Sequence, residues 1–90
     1  MIPDEARPRL PRGVRLREDR LRERWVLLAP ERIVKLNPIA VEVLKLCDGA
    51  RTLGEIVAGL AGRFNADPAR VGTDVRALLA SLQEKRMAEL

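Results

Sequence analysis

The sequence predicts an α+β domain in which a three-stranded antiparallel sheet comes first and a bundle of three helices follows. Three observations lead there. Residues 13–36 carry short apolar runs, partly alternating with arginine, and a proline-marked turn. From residue 38 onward the apolar residues recur at helical spacing instead. Three helix-start signals then divide that second half: Asn37-Pro38, Thr52 with Glu55, and Asp67-Pro68. Leu, Ile, Val and Phe supply 27 of the 90 residues, enough for one modest core.

The elements follow in order. Residues 1–12, MIPDEARPRLPR, are proline-rich and aperiodic and read as an extended arm ahead of a domain over 13–90. The arm is expected to be disordered in the protein alone, to guard a sheet edge, or to exchange with a neighbour and make a dimer of an otherwise monomeric protein. Gly13 to Arg17 is the first strand, with Arg15 and Arg17 on a wet face beside Val14 and Leu16, and Glu18 and Asp19 open the turn. The second strand ends at Leu28. Its inward face is ambiguous because Trp25 to Leu28 is apolar throughout, and Trp25 serves either the core or a contact surface. Pro30 cannot donate to a ladder, so Ala29-Pro30-Glu31 is the tight turn.

The third strand, Arg32 to Leu36, has nothing after it that could pair with it. An unpaired edge is a docking place for another chain. Val34→Pro is expected to remove a backbone donor from this strand.

Asn37 caps the first helix and Pro38 sits at its first position, where a missing N–H costs nothing. Ile39, Ala40, Val43, Leu44 and Cys47 form its core face, and Asp48-Gly49 ends it. Thr52-Leu53-Gly54-Glu55 is a capping box for the second helix, with Ile56, Val57, Leu60 and Phe64 as its buried stripe. Gly54, Gly59 and Gly62 weaken this helix and are expected to allow close packing. The third helix begins after Asp67, is the longest, and lines up Val71, Val75, Leu78, Leu79 and Leu82.

The net charge of +4 lies wholly in residues 1–36, with ten basic and six acidic side chains, while residues 37–90 balance seven against seven. A basic half attracts anionic partners, or it is simply the solvated face of a sheet. There is no histidine and one cysteine, which removes intrachain disulfides, nearly removes Cys/His metal sites, and fits a reducing cytoplasm. Apolar runs are too short for a membrane span, and Pro3, Asp4, Glu5 and Pro8 argue against a signal peptide. Without histidine the usual general base is missing, and the scattered carboxylates sit mostly beside arginines. Cys47 falls on an apolar stripe and reads as an inert buried thiol. No enzyme activity and no cofactor are expected.

The run VRLREDRLRERWVLLAPERIVKLNPIAVEVLKLCDGARTLGEIVAGL, followed by Asp74-Val75 and Leu78-Leu79, closely resembles the PqqD family of pyrroloquinoline quinone biosynthesis. The most specific parts are Leu27-Leu28-Ala29-Pro30-Glu31, Leu36-Asn37 with Ala40, and Leu46-Cys47-Asp48-Gly49 followed by Thr52 and Glu55-Ile56. The resemblance implies a winged-helix-like recognition element for a ribosomally made precursor. Such a chain binds the peptide PqqA, presents it to the radical SAM enzyme PqqE, and performs no chemistry itself. It also implies that the peptide adds as a strand along Arg32, Ile33, Val34, Lys35 and Leu36 and lies across Val75, Leu78, Leu79 and Leu82. Lys35, Arg76 and Lys85 become candidates for pairing with acidic peptide residues, or plain solvated surface.

The rival reading is a helix-turn-helix DNA-binding protein. Its reading helix should display Arg, Lys, Asn or Gln, whereas the third helix shows Arg70, Thr73, Asp74, Arg76, Ser81 and Glu84. No nucleic acid and no membrane partner are therefore expected.

Overall fold

In the computed structural model, which describes residues 2–90, the strands are β1 (Arg15–Asp19), β2 (Arg24–Ala29) and β3 (Arg32–Leu36). They form one antiparallel sheet in the order β1-β2-β3. Three helices follow: α1 (Pro38–Lys45), α2 (Leu53–Phe64) and α3 (Pro68–Glu84). This is the winged-helix-like α+β arrangement the sequence predicts.

The register sorts the sheet into two faces. Leu16, Leu27 and Val34 align across the strands, and Trp25 aligns with Leu36. These residues share one face by the period-two rule, which resolves the ambiguity of β2. Val14, Leu16, Ala29, Val34 and Leu36 pack from this face against the core around Leu27, Val43, Leu53, Ile56, Leu79 and Leu82. The opposite face carries Arg15, Arg17, Val26, Leu28, Ile33 and Lys35.

The first turn lies later than expected. Glu18 and Asp19 belong to β1, and the chain reverses over Arg20–Glu23, with Glu23 in the left-handed region at φ 51°. Asp19 remains outside the turn but holds it, through Arg22 N at 3.4 Å and ion pairs to Arg22 and Arg24.

Helix starts follow the local chemistry. Asn37 Oδ1 accepts from Ala40 N at 2.7 Å, and Asp67 Oδ1 accepts from Ala69 N at 3.0 Å. In α2, Thr52 Oγ1 accepts from Glu55 N at 3.1 Å while Glu55 accepts from Thr52 N at 2.8 Å, which completes the capping box. That backbone hydrogen bond holds the Glu55 carboxyl below its ordinary range. Helix α1 ends at Lys45, short of Asp48-Gly49. Asp48 instead accepts from Ala50 N and Arg51 N, which lowers its own pKa, and Gly49 takes φ 80° in the following loop.

Residues 2–12 fold back onto their own chain at the helical end. Leu53 N donates to Ala6 O at 2.7 Å and Gly54 N to Asp4 O at 3.0 Å, so the arm satisfies two orphan amides of α2. Gly49 N donates to Pro8 O at 2.9 Å, and Ile2 and Pro8 are buried. Arg9 exchanges backbone hydrogen bonds with Glu89, beyond the buried Met87 and Ala88. No hydrogen bond joins the arm to β3 among the described residues.

Helix packing at the glycines differs from expectation. A Cβ at Gly59 or Gly62 would meet nothing within 4 Å, so neither allows a close approach. The close helix contact is at Gly72 of α3, where a Cβ would lie 3.7 Å from Val57 and 2.8 Å from the Arg76 guanidinium. Gly59→Ala is therefore expected to stabilise the protein by about 0.5–1 kcal/mol through helix propensity. Urea denaturation checks this, and an unchanged or lower midpoint would contradict it.

Candidate functional site

The free edge of β3 has a definite polarity. The hairpin between β2 and β3 closes over Pro30 and Glu31, so its flanking pair, Ala29 and Arg32, exchanges both hydrogen bonds. Leu27 with Val34 and Trp25 with Leu36 are then the other hydrogen-bonded pairs. Ile33 and Lys35 present their N–H and C=O groups outward, with no partner strand among the described residues. This changes the meaning of Val34→Pro. The Val34 amide faces β2, so proline there breaks the hairpin, and Lys35 is the position that probes the edge.

Where β3 ends, a groove begins. Its volume is about 440 Å³, and Asn37, the residue after β3, is part of its wall. Ile39, Ala40 and Val43 of α1 form one side, Val71, Val75 and Leu78 of α3 form another, and Leu60, Phe64 and Ala66 close it. Arg70 and Asp74 provide its charged groups. Ile39 and Phe64 are 67% and 51% exposed, although the apolar stripes placed both in the core. The reason is position: Ile39 is the second residue of α1 and Phe64 the last of α2, where neither helix is covered. Both also line a second hollow with Leu36, Trp25 and Lys45. Trp25 is half-buried there, with Lys45 Nζ 4.8 Å from its ring centroid.

The expected helix residues separate into three sets. Val75 and Leu78 line the groove, as Val71 does. Leu79 and Leu82 do not and lie in the core at 0% and 2% exposure; Val75 is as buried, at 2%, and forms the floor of the groove. Arg76 points elsewhere: its Nε donates to Ile2 O at 3.0 Å and its guanidinium pairs with the Asp4 carboxylate, so it clasps the arm. Lys85, the C-cap residue of α3, is exposed and outside the groove lining. Of the strand residues, Val34 and Leu36 turn toward the helices, Ile33 and Lys35 toward the outer face, and Arg32 is exposed beside the turn. Sequence reasoning missed Ile39, Phe64 and Val71 as groove residues. The available signal was large apolar residues at helix ends next to an open strand.

Nothing in the groove resembles an activated nucleophile. Cys47 lies in the core and its Sγ donates to Val43 O at 3.3 Å. Burial, then the nearby Asp48 carboxylate, pushes this thiol up to about 11. Since the thiolate is the reactive form, Cys47 is expected to resist a thiol-exchange reagent at pH 8 until the protein unfolds. Rapid labelling of the folded protein would contradict this. Among the described residues no group of three or more His, Cys, Asp or Glu is placed to hold a metal ion, and no helix is long and apolar enough to cross a membrane.

Residues 24–88 match the family described as Coenzyme PQQ synthesis protein D (PqqD). A protein of Rhodopseudomonas palustris (strain BisB5), named PqqA binding protein, is 50% identical over 84 residues, covering 93% of this chain and 82% of that one. A protein of Xanthomonas oryzae pv. oryzae with the same name is 48% identical over 89 residues, covering 99% and 97%. Among solved structures, the solution structure of the PqqD truncation of Methylobacterium extorquens PqqCD superposes with a TM-score of 0.87 at 47% identity, covering 100% of this chain and 96% of that one. It is described as a functional, stand-alone recognition element for ribosomally synthesized, post-translationally modified peptides. The crystal structure of PqqD from Xanthomonas campestris gives a TM-score of 0.64 at 44% identity, with both chains covered in full. With a family match over most of its length, near-half identity to these relatives and the same fold, the chain belongs to the PqqD family.

Proposed function

We propose that this chain is the peptide chaperone of pyrroloquinoline quinone biosynthesis. It binds the precursor peptide PqqA as a fourth strand along β3 and presents it to the radical SAM enzyme PqqE. The observation that carries this reading is the continuity of the site. The outward amide and carbonyl groups of Ile33 and Lys35 lead, through Leu36 and Asn37, into the apolar groove between α1 and α3.

The two parts do different work. Backbone pairing along β3 tolerates many peptide sequences, whereas the groove selects alternate apolar side chains. Ile39, Phe64, Val71 and Leu78 form that selective surface over the buried Val75, with Arg70 and Asp74 setting register at its charged groups. Lys35 stands on the same edge and can meet an acidic peptide side chain, a contact worth about 0–1 kcal/mol at an exposed position. The names of the relatives, PqqA binding proteins, support the choice of peptide. In this reading the chain holds the substrate, works in the cytoplasm, and leaves bond formation to the enzyme.

The test compares Lys35→Pro with Lys35→Ala. Both remove the charge, but only proline removes the outward donor, and an edge strand tolerates proline where no ladder bond is lost. An unpaired peptide carbonyl costs about 1–3 kcal/mol, so Lys35→Pro is expected to bind labelled PqqA roughly 10–100-fold more weakly than Lys35→Ala. Equal affinity of the two variants would remove strand addition from the reading. Backbone amide shifts confined to β3 and the groove helices on PqqA titration are the accompanying expectation.

A further inference from the structure

The outer face of the sheet lies outside the core cluster and the groove, and meets the peptide site only along the β3 edge at Ile33 and Lys35. Val26, Leu28 and Ile33 form its centre outside the core cluster, with Val26 the buried floor at 6% exposure, Leu28 partly buried and Ile33 open. The turn between β1 and β2 brings Leu21 beside them, and the four line a concavity of about 550 Å³. Leu21 is 98% exposed and Ile33 69% exposed. Apolar residues at such exposure on one contiguous surface mark a place for a partner.

The unpaired charge around that surface is positive. Arg15, Arg17 and Lys35 flank the apolar row in register, and none has an ion-pair partner among the described residues. The acidic groups nearby are already engaged, Asp19 by Arg22 and Arg24 and Glu18 by Arg20. An apolar centre with uncompensated cations at its margin fits a partner surface with an apolar centre and carboxylates around it. Nucleic acid fits less well, since the face offers no aromatic ring on which a base could stack: Trp25 lies on the other side of the sheet.

We infer that the outer face, centred on Leu21, Val26, Leu28 and Ile33, is a second docking surface, and that its occupant is a folded protein with an acidic-rimmed apolar patch. Resting on the proposed function, that partner is the enzyme that modifies the carried peptide. The geometry also connects the two sites. A peptide added beside β3 widens the sheet, so its alternate side chains would join the same outer face as Ile33 and Lys35. A protein seated there would touch carrier and cargo together.

The test uses the full chain, labelled PqqA, and purified PqqE under anaerobic conditions. Leu21→Asp/Arg17→Glu changes two exposed residues that belong neither to the β3 edge nor to the groove, and circular dichroism with Leu21→Ser/Arg17→Ala controls for folding. The expected result is at least a tenfold loss of PqqE affinity for the acidic variant, an intermediate loss for the neutral one, and PqqA affinity within twofold of the unaltered protein. Unchanged PqqE affinity would overturn the inference, as would loss of PqqA binding in step with it, or binding of a labelled oligonucleotide that outcompetes PqqE. Failure of the unaltered protein to bind PqqA would instead count against the proposed function, and is read independently of the enzyme titration.

Discussion

Removing residues 1–8 is expected to lower the stability of the domain by about 4–6 kcal/mol, although the segment lies outside every regular element. The sum has identifiable parts. Burying a side chain such as Ile2 contributes about 1.5–3 kcal/mol, and Pro8 is among the fully buried side chains as well. The Leu53, Gly54 and Gly49 amides each lose a carbonyl partner, at about 1 kcal/mol apiece. The half-exposed pairing of Arg76 with Asp4 adds little once solvent screening is counted. Domains of this size are stable by roughly 5–15 kcal/mol, so such a loss takes most of the margin. At about 4–8 °C per kcal/mol, the truncated chain should melt at least 15 °C lower. A melting temperature within 5 °C of the full chain would show that the arm is an ornament.

The second large effect concerns binding alone. Ile39→Asp/Phe64→Ser is expected to weaken PqqA binding by about 2–4 kcal/mol, or roughly 30- to 1000-fold, because both residues hold most of their apolar surface in reserve for the ligand. Their exposure in the free protein keeps the stability change within about 1 kcal/mol. Leu21→Ser, equally apolar and more exposed but remote from the groove, should leave PqqA binding unchanged. Fluorescence anisotropy with labelled PqqA separates the outcomes. Matching affinities for all three proteins would move the peptide away from the groove.

The parts of this fold that were legible share a scale. Asn37, Thr52 and Asp67 each act within three residues of themselves, and Pro30 fixes its own turn, so these signals survive any tertiary context. The turn at Arg20–Glu23 lacks glycine and proline, and Glu23 adopts the left-handed conformation without advertising it. The open edge of β3 could be foreseen because it is a matter of chain order. The groove could not, because the stripe of Val71, Val75, Leu78, Leu79 and Leu82 is too wide to show where α2 covers it. Helix crossing decides that Leu79 and Leu82 are core while Val71 and Leu78 face the opening. The arm was least legible of all, since its role rests on carbonyls meeting amides far along the chain, as Ala6 meets Leu53 and Asp4 meets Gly54, which composition does not encode.

One consequence reaches beyond the domain itself. Because Arg9 and Glu89 pair through both backbone and side chain, the C-terminal tail is clipped to the middle of the arm, while the arm runs on to bury Ile2 against α3. No residue of the arm lines the groove between α1 and α3. A tether at the C-terminal end would therefore start from a clipped strand pair whose residues lie outside the groove. In engineering terms, the tail end is the place to join a fusion partner, because a join at the head would pull on the buried Ile2.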